Sequence, residues 1–184
     1  LAETASILCE TIVTNAALET ASKEDSVAIL ENDLSTAGQV VIDIYSRFIF
    51  ESELFEKRKE AALSVNELKN IMSDAQKEAY GDGLDGQFLH PYMWLNKPHY
   101  YYSDYNFYNF PYAFGLLFAK GLYAEYLKRG SDFVEDYKKL LAVTGKEKIA
   151  DVTNMIGVDV RKTEFWRSSL ELIEKDVEKF INLT

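Results

Sequence analysis

The chain of 184 residues is poor in cysteine, proline and glycine, with 1, 3 and 9 of these residues respectively. Its one cysteine, Cys9, has no partner for an internal disulfide, which favours a reducing, cytoplasmic setting. So few turn-forming residues argue against a β-sandwich or β-barrel, because those folds need many short strands joined by turns. The composition therefore favours a single domain built from a few long helices.

Long apolar runs and excess positive charge are also missing. No run approaches the roughly 18 apolar residues of a membrane span. Twenty basic residues stand against 30 acidic ones, a net charge of −10, which opposes binding to nucleic-acid phosphates or to anionic membranes. The sequence contains no glycine-rich phosphate loop and no H-E-x-x-H motif. We therefore expect neither a nucleic-acid partner nor a membrane partner.

Apolar residues recur at spacings of three and four along most of the chain, which predicts an all-α fold. A capping box is expected at Ser64 with Glu67, and further caps at Ser131 and Thr163. Residues 81–106 are predicted to be irregular, because Gly81, Gly83 and Gly86 lie close together there and Pro91 and Pro98 follow them. The predicted helices cover residues 1–20, 22 or 23 to 59, 64–80, 109–130, 131–145, 146–156 and 163 to the end.

Three of these helices have predicted buried faces that the structure can test. The first should bury Leu1, Ala5, Leu8 and Ile12, and the same helix should place Cys9 in the core rather than expose it as a nucleophile. The second should bury Val27, Leu30, Leu34, Ala37, Val41, Ile44 and Phe48. The last should bury Trp166, Leu170, Ile173, Val177 and Phe180. The first helix lacks a capping residue, which indicates a part cut from a longer chain; a processed end of a complete domain is the alternative.

Glu3 and Glu10 are seven positions apart, nearly two helical turns, so both carboxylates face the same way. Their apolar neighbours make metal ligation one interpretation, and two surface glutamates the other. His90 is expected to be structural. Asp82 and Asp85 resemble a fragment of a calcium-binding loop without the spacing of a full site.

The stretch from His99 to Phe114 is the most unusual part of the sequence. Nine of its 16 residues are Phe or Tyr, and six of these are Tyr. Several tyrosine hydroxyls on an irregular segment can line a polar cleft and stabilise an oxyanion. A core aromatic cluster is the alternative.

Three stretches resemble the oligoendopeptidase F family, relatives of thimet oligopeptidase. Residues 1–10, LAETASILCE, resemble the helix that follows H-E-x-x-H in that family. Residues 106–118, NFYNFPYAFGLLF, resemble its tyrosine-bearing segment, and residues 157–160 with 164–166 resemble its C-terminal tail. The resemblance therefore extends over essentially the whole chain.

The resemblance implies a zinc-dependent metalloendopeptidase that hydrolyses short peptides. Glu3 would be the third zinc ligand, and Glu10 would lie near the site and orient a ligand histidine. His99, Tyr105 and Tyr112 would stabilise the transition state, although His99 lies about one residue further from Tyr105 than in thimet oligopeptidase. The loop at 81–86 would help to hold the peptide backbone.

Without H-E-x-x-H, the chain lacks two zinc ligands and the general base. Residues 1–184 are therefore expected to be the C-terminal helical part of a catalytic domain, inactive alone. Apolar surface that the rest of the parent would cover could make this part form a homo-oligomer. The alternative is a stand-alone helical binding module with an aromatic groove and no metal. An H-E-x-x-H motif upstream of Glu3 would favour the peptidase.

Overall fold

Helices account for all regular secondary structure in residues 3–184, the part of the chain that the computed structural model describes. No strand occurs there, which confirms the predicted all-α fold. Short 3₁₀ turns at Gly81–Gly83, Gly86–Phe88, Met93–Asn96 and Pro98–Tyr101 occupy most of the region predicted to be irregular. The α-helices are α1 (Thr4–Thr20), α2 (Lys23–Gly38), α3 (Ile44–Arg58), α4 (Val65–Tyr80), α5 (Phe110–Arg129), α6 (Asp132–Val143), α7 (Ile149–Asn154) and α8 (Thr163–Leu183).

A π-helical segment, Gln39–Asp43, joins α2 to α3 where the sequence predicts one uninterrupted helix. A π turn contains an additional residue, so every side chain beyond it is rotated relative to an ideal α-helix. Leu30, Ala37 and Ile44 are buried as predicted. Phe48, also predicted to be buried, is 51% exposed, whereas Phe50 is 1% exposed, so the prediction is wrong at this position.

Helix ends follow the sequence signals in part. The capping box is confirmed: the Glu67 N–H donates to Ser64 Oγ at 3.3 Å, and the Ser64 N–H donates to Glu67 Oε2 at 2.8 Å. The predicted caps at Ser131 and Thr163 are wrong. Ser131 has helical backbone angles and makes no capping bond, and Thr163 is already the first residue of α8.

The chain forms two compact units. One contains the described residues up to Thr36 together with Phe114–Thr184, and the other is Ala37–Ala113. The core of the first unit is formed by residues of α1, α5, α6, α7 and α8 and by Ile156 and Val158, which lie between α7 and α8. The second has a core where α3 packs against α4, centred on Phe50, Ile71, Met72 and Ala75.

Two buried faces in the first unit differ from those predicted. In α1 the buried residues are Thr4, Leu8 and Thr11, whereas Ile12 is 43% exposed and Cys9 is exposed. Thr11 tolerates burial because its Oγ1 donates to the Ile7 carbonyl oxygen at 2.9 Å, whereas the buried Thr4 hydroxyl has no hydrogen-bond partner in the described part of the chain. The prediction that Cys9 lies in the core is therefore wrong, and Leu1 lies outside the described residues.

In α8 the buried residues are Phe165 and Ser169, while Leu170 and Val177, predicted to be buried, are 45% and 39% exposed. Phe165 and Ser169 both face Gly121 of α5, where the absence of a side chain makes room for them. The buried face of α8 is therefore the one that packs against this glycine. Among the described helices, none is long and apolar enough to cross a bilayer.

Candidate active site

A buried glutamine of α4 fixes the path of the segment that connects α4 to α5. Gln76, 1% exposed, donates from Nε2 to the His90 carbonyl oxygen at 3.0 Å and accepts the His90 N–H at Oε1, also at 3.0 Å. The amide thus replaces the hydrogen bonds that an irregular backbone lacks. His90 participates through its backbone, in keeping with the structural role expected from the sequence.

Tyr108 brings together the three residues that the sequence predicts as transition-state donors. Its ring centroid lies 5.7 Å from that of His99, 5.4 Å from that of Tyr105 and 6.1 Å from that of Tyr112. Both tyrosine pairs are edge-to-face, a favourable arrangement of aromatic rings. Tyr105 and Tyr112 are 49% and 45% exposed, so neither belongs to a core aromatic cluster.

Two successive backbone turns connect Tyr105 to Tyr112. The Tyr108 N–H donates to the Tyr105 carbonyl oxygen at 3.2 Å, and the Tyr112 N–H donates to the Asn109 carbonyl oxygen at 3.1 Å. Phe107 lies between the turns and has a φ of 55°, the one positive φ among the described non-glycine residues. Such a conformation persists only where surrounding contacts impose it.

Glu51 supplies one of these contacts. The residue is only 4% exposed, and its Oε1 accepts the Phe107 N–H at 2.7 Å. The Phe107 ring packs against Phe48 and Phe55, with centroids 5.5 and 5.6 Å apart. Burial raises the pKa of Glu51 above its usual 4.5, and the hydrogen bond from Phe107 acts in the opposite direction.

A second buried polar group reaches His99. Asn109, 7% exposed, has its Nδ2 2.8 Å from His99 Nε2 and accepts a hydrogen bond from Arg47 Nη1 at its Oδ1, at 3.4 Å. Arg47 also forms an ion pair with Asp43, which accepts a bond from the Tyr80 hydroxyl at 3.4 Å. Burial lowers the pKa of His99, and the positive charges of Arg47 and Lys97 lower it further.

Tyr100 packs beneath this group. Its ring lies 4.3 Å from His99 and 5.5 Å from Phe50, between centroids. Its hydroxyl is buried and has no hydrogen-bond partner in the described part of the chain. Burial, reinforced by the negative charge of Glu51, raises the pKa of Tyr100 far above its usual value, so this hydroxyl stays protonated.

Glu3 and Glu10 belong to the other compact unit. Both are exposed, and neither forms an ion pair with a described residue. The Glu3 Cβ lies close to α5, because a Cβ placed on Gly115 would be 3.8 Å from it. Within residues 3–184, no three His, Cys, Asp or Glu side chains form a group that could hold a metal ion.

Asp82 and Asp85 do not form the calcium loop that their sequence resembles. Asp85 Oδ1 instead accepts the Gln87 N–H at 2.9 Å and caps the 3₁₀ turn that follows. This local bond accounts for an aspartate beside a glycine without a metal.

Comparison with known proteins identifies the family. The model of Peptidase family M3 matches residues 1–172. The chain belongs to this family. Among its relatives, oligopeptidase PepF of Bacillus subtilis is 28% identical over 135 residues, and an oligoendopeptidase F homolog of Borreliella burgdorferi is 27% identical over 121 residues. These alignments cover 73% and 66% of this chain but only 20% of each relative, so the chain spans about a fifth of their length.

Two solved structures share the fold. A protein of Chlamydophila abortus assigned as a peptidase superimposes over 100% of this chain and 31% of its own, with a TM-score of 0.89 and 26% identity. Oligoendopeptidase-F from Enterococcus faecium superimposes over 98% of this chain and 34% of its own, with a TM-score of 0.86 and 22% identity. The resemblance to oligoendopeptidase F seen in the sequence is thereby confirmed.

Sequence reasoning missed the polar residues that support the segment carrying Tyr105 and Tyr112. Asp43, Arg47 and Glu51 follow one another at steps of four and so share one helical face. Charged side chains at this spacing among Ile and Phe are a signal of burial with a partner, because isolated buried charges are too costly. Their partners, Asn109 and Phe107, lie 62 and 56 positions away in the chain.

Proposed function

We propose that this chain is the C-terminal helical part of the catalytic domain of a longer, zinc-dependent endopeptidase that hydrolyses short peptides. The observation that carries the proposal is the grouping of His99, Tyr105 and Tyr112 around Tyr108. Membership of Peptidase family M3, and relatives named oligopeptidase and oligoendopeptidase, support peptides as substrates. A single cysteine is consistent with a cytoplasmic enzyme.

In this proposal the Tyr105 and Tyr112 hydroxyls and the His99 ring donate hydrogen bonds to the carbonyl oxygen of the scissile peptide. Their contribution is largest when that oxygen gains negative charge in the transition state, since donors held in place beforehand need no reorganisation. Contact with the Tyr108 ring restricts the orientation of all three rings. Their partial exposure leaves room for a substrate to approach the two hydroxyls.

Glu3 would bind the zinc ion, and Glu10, on the same side of α1, would lie close to that site. Zinc in such a site supplies a water that is nucleophilic at neutral pH and polarises the substrate carbonyl. Two histidine ligands and a general base would come from outside these 184 residues, so the chain alone is expected to be inactive. Self-association of the isolated chain stays a prediction that sedimentation equilibrium can check.

The proposal is tested by Tyr112→Phe in the full-length peptidase. Loss of one transition-state donor costs about 3 kcal/mol, so kcat on a fluorogenic peptide should fall about 100-fold while KM changes little. Tyr92→Phe is a matched control, because Tyr92 is 43% exposed but lies outside the group around Tyr108. Equal kcat values for wild type and Tyr112→Phe would refute the role of this hydroxyl.

A further inference from the structure

The geometry points to Asn109 and Arg47 as positioning residues that place the ring proton of His99 on Nδ1, so that this nitrogen is the one that donates to a substrate. The inference deepens the proposed function and rests on it for the identity of the substrate. It concerns which atom of His99 acts and what determines that choice.

The orientation of the Asn109 amide follows from its two neighbours. An arginine side chain has only hydrogen-bond donors, so the atom that faces Arg47 Nη1 must be the amide oxygen. The amide nitrogen then faces His99 Nε2 at 2.8 Å. An amide nitrogen can only donate, and therefore Nε2 must be the bare, accepting nitrogen of a neutral imidazole.

The rest of the network prevents the opposite arrangement. Arg47 is held by its ion pair with Asp43, and Asp43 is only 7% exposed and also accepts from the Tyr80 hydroxyl. A turn of the Asn109 amide by 180° would direct its NH₂ group at Arg47 and bury two opposed donors. The neighbouring cations, Arg47 and Lys97, also oppose a doubly protonated, positively charged ring.

This arrangement has a direct chemical consequence. With Nε2 occupied by Asn109, the Nδ1–H is the free donor of His99, and it remains a donor without a change in protonation. A histidine that donates from one particular ring nitrogen needs a fixed tautomer, and a hydrogen bond accepted by its other ring nitrogen fixes that tautomer. The alternative is that the hydrogen bonds among Arg47, Asn109 and His99 only stabilise the fold, in which case the tautomer of His99 would have no effect on the reaction.

The first test measures the tautomer in this chain by long-range ¹H–¹⁵N correlation spectroscopy with ¹⁵N-labelled histidine. We expect a protonated Nδ1 and a bare Nε2 for His99. At a pH where the ring is neutral, Asn109→Asp places a carboxylate oxygen, which can only accept, against Nε2 and should move the proton to that nitrogen. Asn106→Asp introduces the same charge three positions away on an exposed residue and should leave the tautomer unchanged. A protonated Nε2 in the wild type, or an unchanged tautomer in Asn109→Asp, overturns the inference.

The second test measures peptide hydrolysis by the full-length peptidase. Asn109→Asp should lower kcat nearly as much as His99→Ala does, about 100-fold for a lost donor, with a smaller effect on KM. Asn106→Asp should retain wild-type kcat. Circular dichroism of each variant confirms that it is folded, and Arg47→Lys, which keeps the charge but loses the planar fork, gives an independent perturbation of the same amide.

The outcomes separate this inference from the proposed function. A tautomer that reverses in Asn109→Asp while kcat is unchanged overturns the positioning role and leaves the peptidase assignment intact. An unchanged kcat in both His99→Ala and Tyr112→Phe overturns the proposed function, whatever the tautomer.

Discussion

Replacing Gly121 by alanine probes the closest contact in the first unit. A Cβ at this position would lie 2.5 and 2.7 Å from Cζ and Cε2 of Phe165, and 2.8 Å from Ser169 Oγ. Carbon atoms pack at about 3.5–4.0 Å, so the ring would have to move by about 1 Å. It has little freedom to do so, because it is packed against Phe118 and Trp166 with centroids 5.6 and 5.1 Å away.

The expected magnitude is a balance of two effects. Alanine is better than glycine in a helix interior by about 1 kcal/mol, whereas overpacking of a core costs about 1–3 kcal/mol. Three contacts under 3 Å place Gly121→Ala at the upper end of that cost, so we expect a net loss of about 1–2 kcal/mol. Gly115→Ala is the matched control on the same helix, because its new Cβ would meet Ile7 and Glu3 at 3.7 and 3.8 Å, ordinary contact distances.

Urea unfolding of this chain, followed by circular dichroism, measures both changes. Gly121→Ala should lower the free energy of unfolding, and Gly115→Ala should leave it unchanged or raise it. Adding Phe165→Leu to Gly121→Ala should cost less than Phe165→Leu alone, since a smaller side chain relieves the clash. If Gly121→Ala is as stable as the wild type, the close α5–α8 contact does not constrain the core as argued.

Two other substitutions test buried charges. Lys120 is 3% exposed, and its Nζ lies 3.2 Å from Asp33 Oδ2 and 3.8 Å from Asp176 Oδ2. Lys120→Met should therefore lower the free energy of unfolding by about 3 kcal/mol in urea, whereas Lys128→Met, which removes an exposed ion pair, should cost under about 1 kcal/mol. Equal effects of the two substitutions would refute the argument. Because burial raises the pKa of Glu51, the folded state binds its proton more tightly than the unfolded state, and stability is lost as pH rises above 4.5. Glu51→Gln keeps an acceptor for the Phe107 N–H and loses no proton, so its stability relative to wild type should increase from pH 4.5 to 7, and a constant difference would contradict this.

Local signals in the sequence predict most helix positions but not the phase of every helix. The Ser64 capping box and the three-and-four spacings depend on neighbouring residues, so they are visible without the fold. The π segment at Gln39–Asp43 is not, because one additional residue in a turn leaves no mark on composition. In α3, Phe50 rather than Phe48 lies in the core. The errors in α1 and α8 concern polar residues: Thr11 and Ser169 are buried because their hydroxyls bond to backbone carbonyl oxygens of their own helices, which a hydrophobic pattern does not indicate.

Some residues of the candidate site could likewise be predicted from local sequence, and others could not. His99, Tyr105 and Tyr112 could be found because they lie within one segment whose composition is unusual and whose order resembles a family. Arg47, Glu51 and Asn109 could not be assigned, because their bonds join positions 56 or 62 residues apart. Charges at steps of four in an apolar helix indicate that a partner exists, but only the tertiary structure identifies it.

The spatial arrangement of Tyr105 and Tyr112, seven positions apart, depends on a backbone conformation that a continuous helix does not provide. Residues seven apart share a face in a continuous helix, yet here the backbone reverses its handedness at Phe107 between two separate turns. Asn109 connects the result: its carbonyl oxygen accepts the Tyr112 N–H, and its amide bonds His99 Nε2. One residue thus orients two of the three predicted donors, while Glu51 holds the Phe107 backbone that precedes it. The relative positions of the two tyrosines in space therefore depend on the buried polar contacts that Glu51 and Arg47 of α3 make with this segment.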